Sequence, residues 1–374
     1  MDTHNNRVTG VPMEPRAALA HYDEAAGSYL LEAGSQGVGS PRNALAAMFG
    51  VAPKKMRVIS RDVGGGYGTR NIVFPEFVMA IWAAKRLGRP VKWSGERAEC
   101  FFSDPAARDV ISRAELALDA EGNFLAVRVV HLVNFGVEAH ILLPFARSVD
   151  FVVGVYDLPA AYIQATGVFT NRGSISVLRS AGRPEPMFLI ERLIDLAAAQ
   201  MDLDGVELRR RNIIPPITET YLSATDVPYD SGHFGKNMEE VLKLADWDGS
   251  HARKAGSVAR GRLRGIGMAN YIEWATGVPE ERVEVEIKPG GEVEVVAGTM
   301  DSGQGHATAY AQVMAELLGV PFDQVQLVEG DSDRAKFGNG SHSSRSMRLA
   351  STLMKQCADE IIEKGREIAA QMLE

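Results

Sequence analysis

Apolar residues recur along the chain with two different periods, and the switches between them mark the elements. In 185–201, Met187, Ile190, Ile194, Ala197 and Met201 follow at three- and four-residue steps, the spacing of a helix that buries one face. Phe77, Ile81 and Ala84 repeat the pattern between Pro75 and Leu87, where a proline opens the run and Gly88 closes it. Further helices are expected over 40–49, with Ser40 as N-cap, Pro41 at the first helical position and Gly50 as the stop, and over 307–318 and 347–373. Elsewhere the period falls to two. Arg282-Val283-Glu284-Val285-Glu286-Ile287 alternates strictly, and Pro289-Gly290-Gly291 turns it back into 292–297 as a hairpin. The β-rich runs 111–118 and 124–133 flank a second turn, and 18–30 holds a third at Asp23-Glu24-Ala25-Ala26-Gly27. Met56-Arg57-Val58-Ile59 reads as a short strand, and the prolines of Pro12-Met13-Glu14-Pro15-Arg16 predict extended backbone at Val11 and Glu14. The pattern is that of an α+β protein with mixed sheets and packed helices.

The polar stretch 247–264, broken by Gly249, Gly256 and Gly261, is the expected linker between domains at 1–246 and 265–374. Composition narrows the function. Forty Lys+Arg against 48 Asp+Glu gives a net charge of −8, which argues against nucleic acid as partner. The two cysteines, Cys100 and Cys357, exclude a disulfide framework and any iron–sulfur cluster held by this chain alone, since a cluster takes about four ligands. No apolar run reaches the ~18 residues of a membrane span and no signal peptide opens the chain, so a cytoplasmic protein is expected.

Glycine is abundant, at 37 of 374 residues, and it concentrates in three loops. In Asp62-Val63-Gly64-Gly65-Gly66-Tyr67-Gly68, glycines can expose backbone N–H groups and let a cofactor lie close. A dinucleotide fingerprint would need a third glycine where Thr69 stands, and a phosphate loop of the G-x-x-x-x-G-K-[ST] type does not occur. Gly303-Gln304-Gly305-His306 joins a strand to a helix, and Gly338-Asn339-Gly340-Ser341-His342-Ser343-Ser344-Arg345-Ser346 precedes another. Hydroxyls, exposed N–H groups and an arginine before a helix suit an anionic group such as phosphate, although Ser344 or Ser346 could simply cap the helix. Asp331-Ser332-Asp333 with Asn339 lacks the spacing of a calcium loop, and His306 has no partner at metal-ligand spacing.

Taken together and in order, these segments resemble the molybdenum-binding subunit of the xanthine dehydrogenase/aldehyde oxidase family, in the style of bacterial carbon monoxide dehydrogenase-like large subunits. Ser35-Gln36-Gly37, Arg179-Ser180-Ala181-Gly182-Arg183-Pro184-Glu185 and Arg209-Arg210-Arg211-Asn212 complete the match, which runs over nearly the whole chain. The resemblance implies two molybdenum-cofactor-binding domains, the second incomplete. It implies that Gln36 hydrogen-bonds an oxo ligand of molybdenum and that Gly65, Gly66, Tyr67 and Gly68 lie beside the metal, with Tyr67 in place of a more usual phenylalanine. Arg179 would line the substrate pocket, while Gln304, Gly305, His306, Ser343, Ser344, Arg345 and Ser346 would contact the pterin and its phosphates. No direct protein ligand to the metal is implied. The expected cofactor is molybdopterin with molybdenum, in the cytosine dinucleotide form, and the clusters and FAD would sit on an iron–sulfur subunit and an FAD subunit.

Departures from the family pattern shape the expected chemistry. Ser180-Ala181-Gly182 stands where carbon monoxide oxidisers carry a cysteine for copper, which points away from CO and toward hydroxylation of an aldehyde or N-heterocycle. Asn71 replaces the pocket glutamate of some purine-oxidising relatives. Family subunits have a further domain before the Pro12 segment and a Gly-x-Gly-Glu loop bearing the general base beyond Glu374, so the chain is expected to need a C-terminal piece. A catalytically inactive remnant kept for subunit assembly is the alternative, and a nicotinamide-binding enzyme a third.

Overall fold

The structure, a computed structural model, describes residues 1–373. It divides into two compact units that are not continuous in sequence: residues 1–9 with 105–273, and residues 10–104 with the described residues from 274 on. The stretch 247–264, expected as a linker, contains the helix Ser250–Val258 and belongs to the first unit.

The first unit is built on a four-stranded sheet ordered Asp2–Asn5, Val110–Leu118, Phe124–Gly136, Ala161–Phe169. The long central hairpin is antiparallel, as its turn predicts, and the last strand joins it in parallel. Helix Pro184–Met201 lays Leu189, Ile190, Leu193 and Ile194 against Val127, Val129, Val152 and Tyr156. Fully burying a side chain of this size contributes about 1.5–3 kcal/mol. The next helix, Gly205–Asn212, begins where Asp204 accepts the N–H groups of Val206 and Glu207. Its Arg209 is buried and clamps Glu191 (2.7 Å) and Asp195 (2.9 Å).

The second unit repeats one motif. In its first half, strands Ala17–Asp23 and Ser28–Ala33 form a hairpin. Helix Gly39–Met48 then leads to Met56–Ile59, which pairs in parallel with Ser28–Ala33. Val91–Ser94 adds to the other edge, and helix Pro75–Leu87 buries Phe77, Ala80, Ile81 and Ala84 on the sheet. In its second half, the hairpin Val283–Ile287/Val293–Ala297 is followed by helix His306–Leu318 and strand Val325–Val328, parallel to Val293–Ala297. Helices His306–Leu318 and Arg345–Leu373 cover this sheet through Tyr310, Met314, Ala350 and Met354. Four loops therefore leave the carboxyl ends of parallel-paired strands, the place where open α/β sheets bind ligands. They carry Ser35-Gln36-Gly37, the triple glycine, Gly303–His306 and 338–346.

Local details depart from the sequence expectations in two places. Val11 is left-handed, not extended (φ 41°), and bends the chain into Met13 and Glu14. There Glu14 N–H donates to Gly64 O (3.1 Å) and its carboxylate accepts from Gly64 N–H (2.8 Å). Ser40 does not cap its helix, which starts at Gly39 behind Val38. Residue 39 must be glycine there, since a Cβ would fall 2.7 Å from Gly338 O where the two loops meet.

Candidate functional site

Gln36 is the junction of the second unit's loops. Its own N–H donates to Arg70 O (3.2 Å) and its carbonyl accepts from Ser341 N–H (2.7 Å). In the side chain, Oε1 accepts from Gly68 N–H (2.9 Å) and Arg70 N–H (3.2 Å), while Nε2 donates to Ser341 O (3.0 Å). The two incoming donors fix the amide's orientation, and one N–H of Nε2 remains beyond the bond to Ser341. Gln36 is buried, so each bond matters: an unmet buried polar group costs about 1–3 kcal/mol.

Glycine is required where these loops touch. A Cβ at Gly37 would lie 2.6 Å from the Cα of Gly340, and one at Gly66 would lie 2.6 Å from Cγ and Cδ of Gln36. Ser341 extends the junction to the third loop. Its hydroxyl donates to Met300 O (2.6 Å) and accepts from Met300 N–H (2.9 Å), immediately before the Gly303–His306 turn. The three glycine loops expected to share a ligand thus converge on Gln36 and Ser341.

That turn is organised by Asp301, whose carboxylate accepts from the N–H groups of Gly303 (2.6 Å), Gln304 (2.7 Å), Gly305 (3.0 Å) and His306 (2.9 Å). Burial works to raise the Asp301 pKa, but the hydrogen bonds from Gly303, His306 and Gln304 outweigh it and hold the group below its ordinary value. The amides at this helix start are therefore already committed to a carboxylate. Beside Gly303 and Gly305, by contrast, an added Cβ would meet nothing within 4 Å, so a flat group can approach the turn's outer face.

Arg345, expected to meet an anion, is turned inward and fully buried. It pairs with Glu281 (2.6 Å) and donates to Gly340 O (2.8 Å), Glu280 O (2.5 Å) and Val278 O (3.1 Å). Its charge is neutralised by a carboxylate 64 residues away, and it braces the loop rather than presenting a cation. Ser343 and Ser344, just before it, are both left-handed (φ 53° and 58°), and Ser346 lies within the helix with Oγ donating to Ser341 Oγ (3.0 Å). Tyr67 also has positive φ (55°) and an exposed ring.

Arg179 belongs to the first unit, where it is exposed and its carbonyl accepts from Arg108 (2.7 Å). The following Ser180 and Ala181 are left-handed (φ 70° and 43°). Among the described residues eleven non-glycine residues have positive φ; Tyr67, Ser343 and Ser344 are three of them in the second unit's loops, and Ser180 and Ala181 are an adjacent pair in the first unit. Each such residue costs on the order of 1–3 kcal/mol, and clustering of that strain is a mark of functional segments. A cavity of about 490 Å³ starts at Ser180 and runs past Met187, Phe188 and Asn270 to Glu191. The carboxylates and guanidinium on its wall are paired, Arg183 with Glu273 (3.1 Å) and Glu191 with Arg209. Burial raises the Glu191 pKa despite Arg209.

Sequence reasoning named Ser341 only as part of its loop and missed Asp301 and Arg70 as site-building residues. Among the described residues, no group of three His, Cys, Asp or Glu could hold a metal ion, and no helix is long and apolar enough to cross a membrane.

Models of the molybdopterin cofactor-binding domain match residues 1–213 and 240–374. The chain belongs to this family. It is 32% identical to the carbon monoxide dehydrogenase large chain of Hydrogenophaga pseudoflava over 98% of its own length and 48% of that protein's. It is 34% identical to the 6-hydroxypseudooxynicotine dehydrogenase complex subunit gamma of Paenarthrobacter nicotinovorans, over 99% and 47% respectively. Reconstituted CO dehydrogenase from Oligotropha carboxidovorans superposes with a TM-score of 0.91 at 30% identity, covering 100% of this chain and 49% of that one. Quinoline 2-oxidoreductase from Pseudomonas putida 86 gives 0.90 at 27%, covering 96% and 48%. The chain spans about half the length of the curated relatives it matches.

The loops of the second unit fit a molybdopterin. Glycines 303 and 305 leave open faces, Ser344 offers a hydroxyl at an exposed position, Ser302 Oγ is buried without a partner, and one Gln36 amide hydrogen is uncommitted. Neutral donors beside open backbone suit a polar heterocycle that carries its own charge on a phosphate tail.

Proposed function

We propose that this chain forms the cofactor cradle of a molybdenum hydroxylase that oxidises an aldehyde or an N-heterocycle with oxygen from water. The observation that carries the reading is the convergence of Gln36, the triple-glycine loop, the Gly303–His306 turn and the 338–346 loop through Gln36 and Ser341. When bound, molybdopterin supplies the molybdenum centre at which the two-electron chemistry takes place. The residues of this chain bind and orient. Gln36 offers its remaining amide hydrogen to an oxygen at the metal, and Gly65, Gly66, Tyr67 and Gly68 form the wall beside it. Gln304 and Gly305 face the pterin, and His306, expected beside it, is buried behind Gln304 instead. Ser343, Ser344 and Ser346 take the phosphate end, with Arg345 holding their loop in shape. Arg179 lines the substrate side, and the strained Ser180-Ala181 pair holds that loop's course.

The cytosine dinucleotide form of the cofactor, and electron transfer to iron–sulfur and FAD subunits, belong to the same proposal, since the two cysteines here cannot hold a cluster. The loop Ser180-Ala181-Gly182 has no thiol for copper, which favours carbon hydroxylation over CO oxidation. The test is dye-linked oxidation by the full-length protein, purified with its partner subunits, on panels of aldehydes, N-heterocycles and CO. Turnover of an aldehyde or heterocycle with none of CO is expected. Turnover of CO alone would overturn the substrate assignment.

A further inference from the structure

We propose that His306 and Glu329 are positioning residues that fix the Gln304 side chain so that it presents a hydrogen-bond acceptor, not a donor, to the pterin. This deepens the molybdopterin reading and rests on it. Gln304 Oε1 accepts from Ser302 N–H at 2.6 Å, and its Nε2 donates to Met300 O at 3.2 Å. Both contacts give the same amide orientation. The second amino hydrogen then meets Nε2 of His306 at 3.2 Å, and that nitrogen must offer a lone pair.

A neutral imidazole with a bare Nε2 carries its proton on Nδ1. His306 Nδ1 lies 3.4 Å from Glu329 Oε2, and both atoms are buried with no hydrogen-bond partner, so the carboxylate acts on the ring through charge at close range. The opposite tautomer would set two donors face to face at Gln304 and two acceptors face to face at Glu329. Glu329 is itself held, because its Oε1 accepts from Asp301 N–H at 2.9 Å. The imidazole stacks on Tyr310 with centroids 5.0 Å apart and planes 11° apart, and Tyr310 OH pairs with Thr299 Oγ1 at 2.8 Å, so the ring is fixed against rotation.

The chemical consequence is specific. Both amino hydrogens of Gln304 are spent inside the protein, and the free valence on this exposed side chain is a lone pair of Oε1. The backbone amides of the turn are spent on Asp301. This loop therefore recognises the N–H and amino edge of a pterin and repels phosphate oxygens.

The test uses 15N-histidine-labelled full-length protein, read by NMR for the His306 tautomer, together with the pterin retained after purification, measured as fluorescent oxidised pterin. The expected wild-type state is protonated at Nδ1 and bare at Nε2. Glu329→Leu should mix the tautomers, and Glu329→Leu and His306→Leu should each lower retained pterin about tenfold, as expected for losing about 1.4 kcal/mol. His306→Gln can set its amide oxygen where Nε2 stands and its NH2 toward Glu329, so it should stay near wild type, whereas Glu329→Gln has one oxygen for two donors, Asp301 N–H and His306 Nδ1–H, and should fall between wild type and Glu329→Leu. An Nε2-protonated wild type, or full pterin retention in His306→Leu, would overturn the proposal. A wild-type protein without pterin would overturn the cofactor reading and with it the ligand half of this inference, whatever the tautomer.

Discussion

Replacing Gln36 separates its role as a structural junction from its proposed role at the metal. Gln36→Leu keeps the bulk but deletes three side-chain hydrogen bonds, leaving Gly68 N–H, Arg70 N–H and Ser341 O without these partners in a buried setting. At about 1–3 kcal/mol for each unmet group, with some relaxation, the second unit should lose about 3–6 kcal/mol. Gln36→Glu is more selective. It keeps both accepted bonds but sets an oxygen against Ser341 O, which should cost about 2–4 kcal/mol at neutral pH. Burial and the facing carbonyl raise the new carboxyl's folded pKa above the unfolded value of about 4.3. Stability relative to wild type should therefore be regained as pH falls through that raised value, when the protonated group can donate to Ser341 O. The assay is urea unfolding followed by tryptophan fluorescence, since Trp82, Trp93 and Trp274 lie in this unit. If Gln36→Leu unfolds within about 1 kcal/mol of wild type without cofactor, Gln36 is not a junction and the bonds it makes across these loops carry no weight.

Four further outcomes follow from the structure. Gly37→Ala forces a Cβ 2.6 Å from the Cα of Gly340, so two backbones must part, and a loss of about 1–3 kcal/mol is expected in chemical unfolding. Gly365→Ala, in the helix Arg345–Leu373 with nothing within 4 Å of the new Cβ, should instead gain about 0.5–1 kcal/mol in the same assay. Asp301→Ala should cost about 1–2 kcal/mol, as an N-terminal cap does. The lowered pKa of Asp301 means that this contribution is present above its unfolded pKa and lost as pH falls through the folded one, so the variant's deficit should shrink in acid. His131 is buried in the first unit's sheet, and burial pushes its pKa down from 6.5 to about 4. The unfolded chain then takes up a proton that the folded one refuses. About 3 kcal/mol of stability should vanish between pH 6.5 and 4, at 1.36 kcal/mol per unit, and His131→Gln should flatten that slope in calorimetry.

What the sequence made legible was local. Helix 185–201 and the hairpin at 283–297 stand where the periods of 3.6 and 2 put them, because each buries one face on a single neighbouring layer. The glycine loops were legible as close-approach backbone, and they do approach closely, Gly37 on Gly340. What escaped depended on partners far away in the chain. Ser341 matters because Gln36, 305 positions earlier, meets it, and no local pattern announces that. Arg345 read as an anion site until Glu281 and three carbonyls closed around it. Asp301 lies just outside the glycine motif yet takes the amides a phosphate would have used.

The most direct test of the cofactor cradle is quantitative metal and pterin analysis of the full-length protein purified from a host that makes molybdopterin. Wild type should carry molybdenum and pterin in equimolar amounts, the pterin ending in a cytosine nucleotide, and Gln36→Leu should carry neither per mole of folded protein. Wild-type protein free of both, with its partner subunits present and folded, would contradict the account.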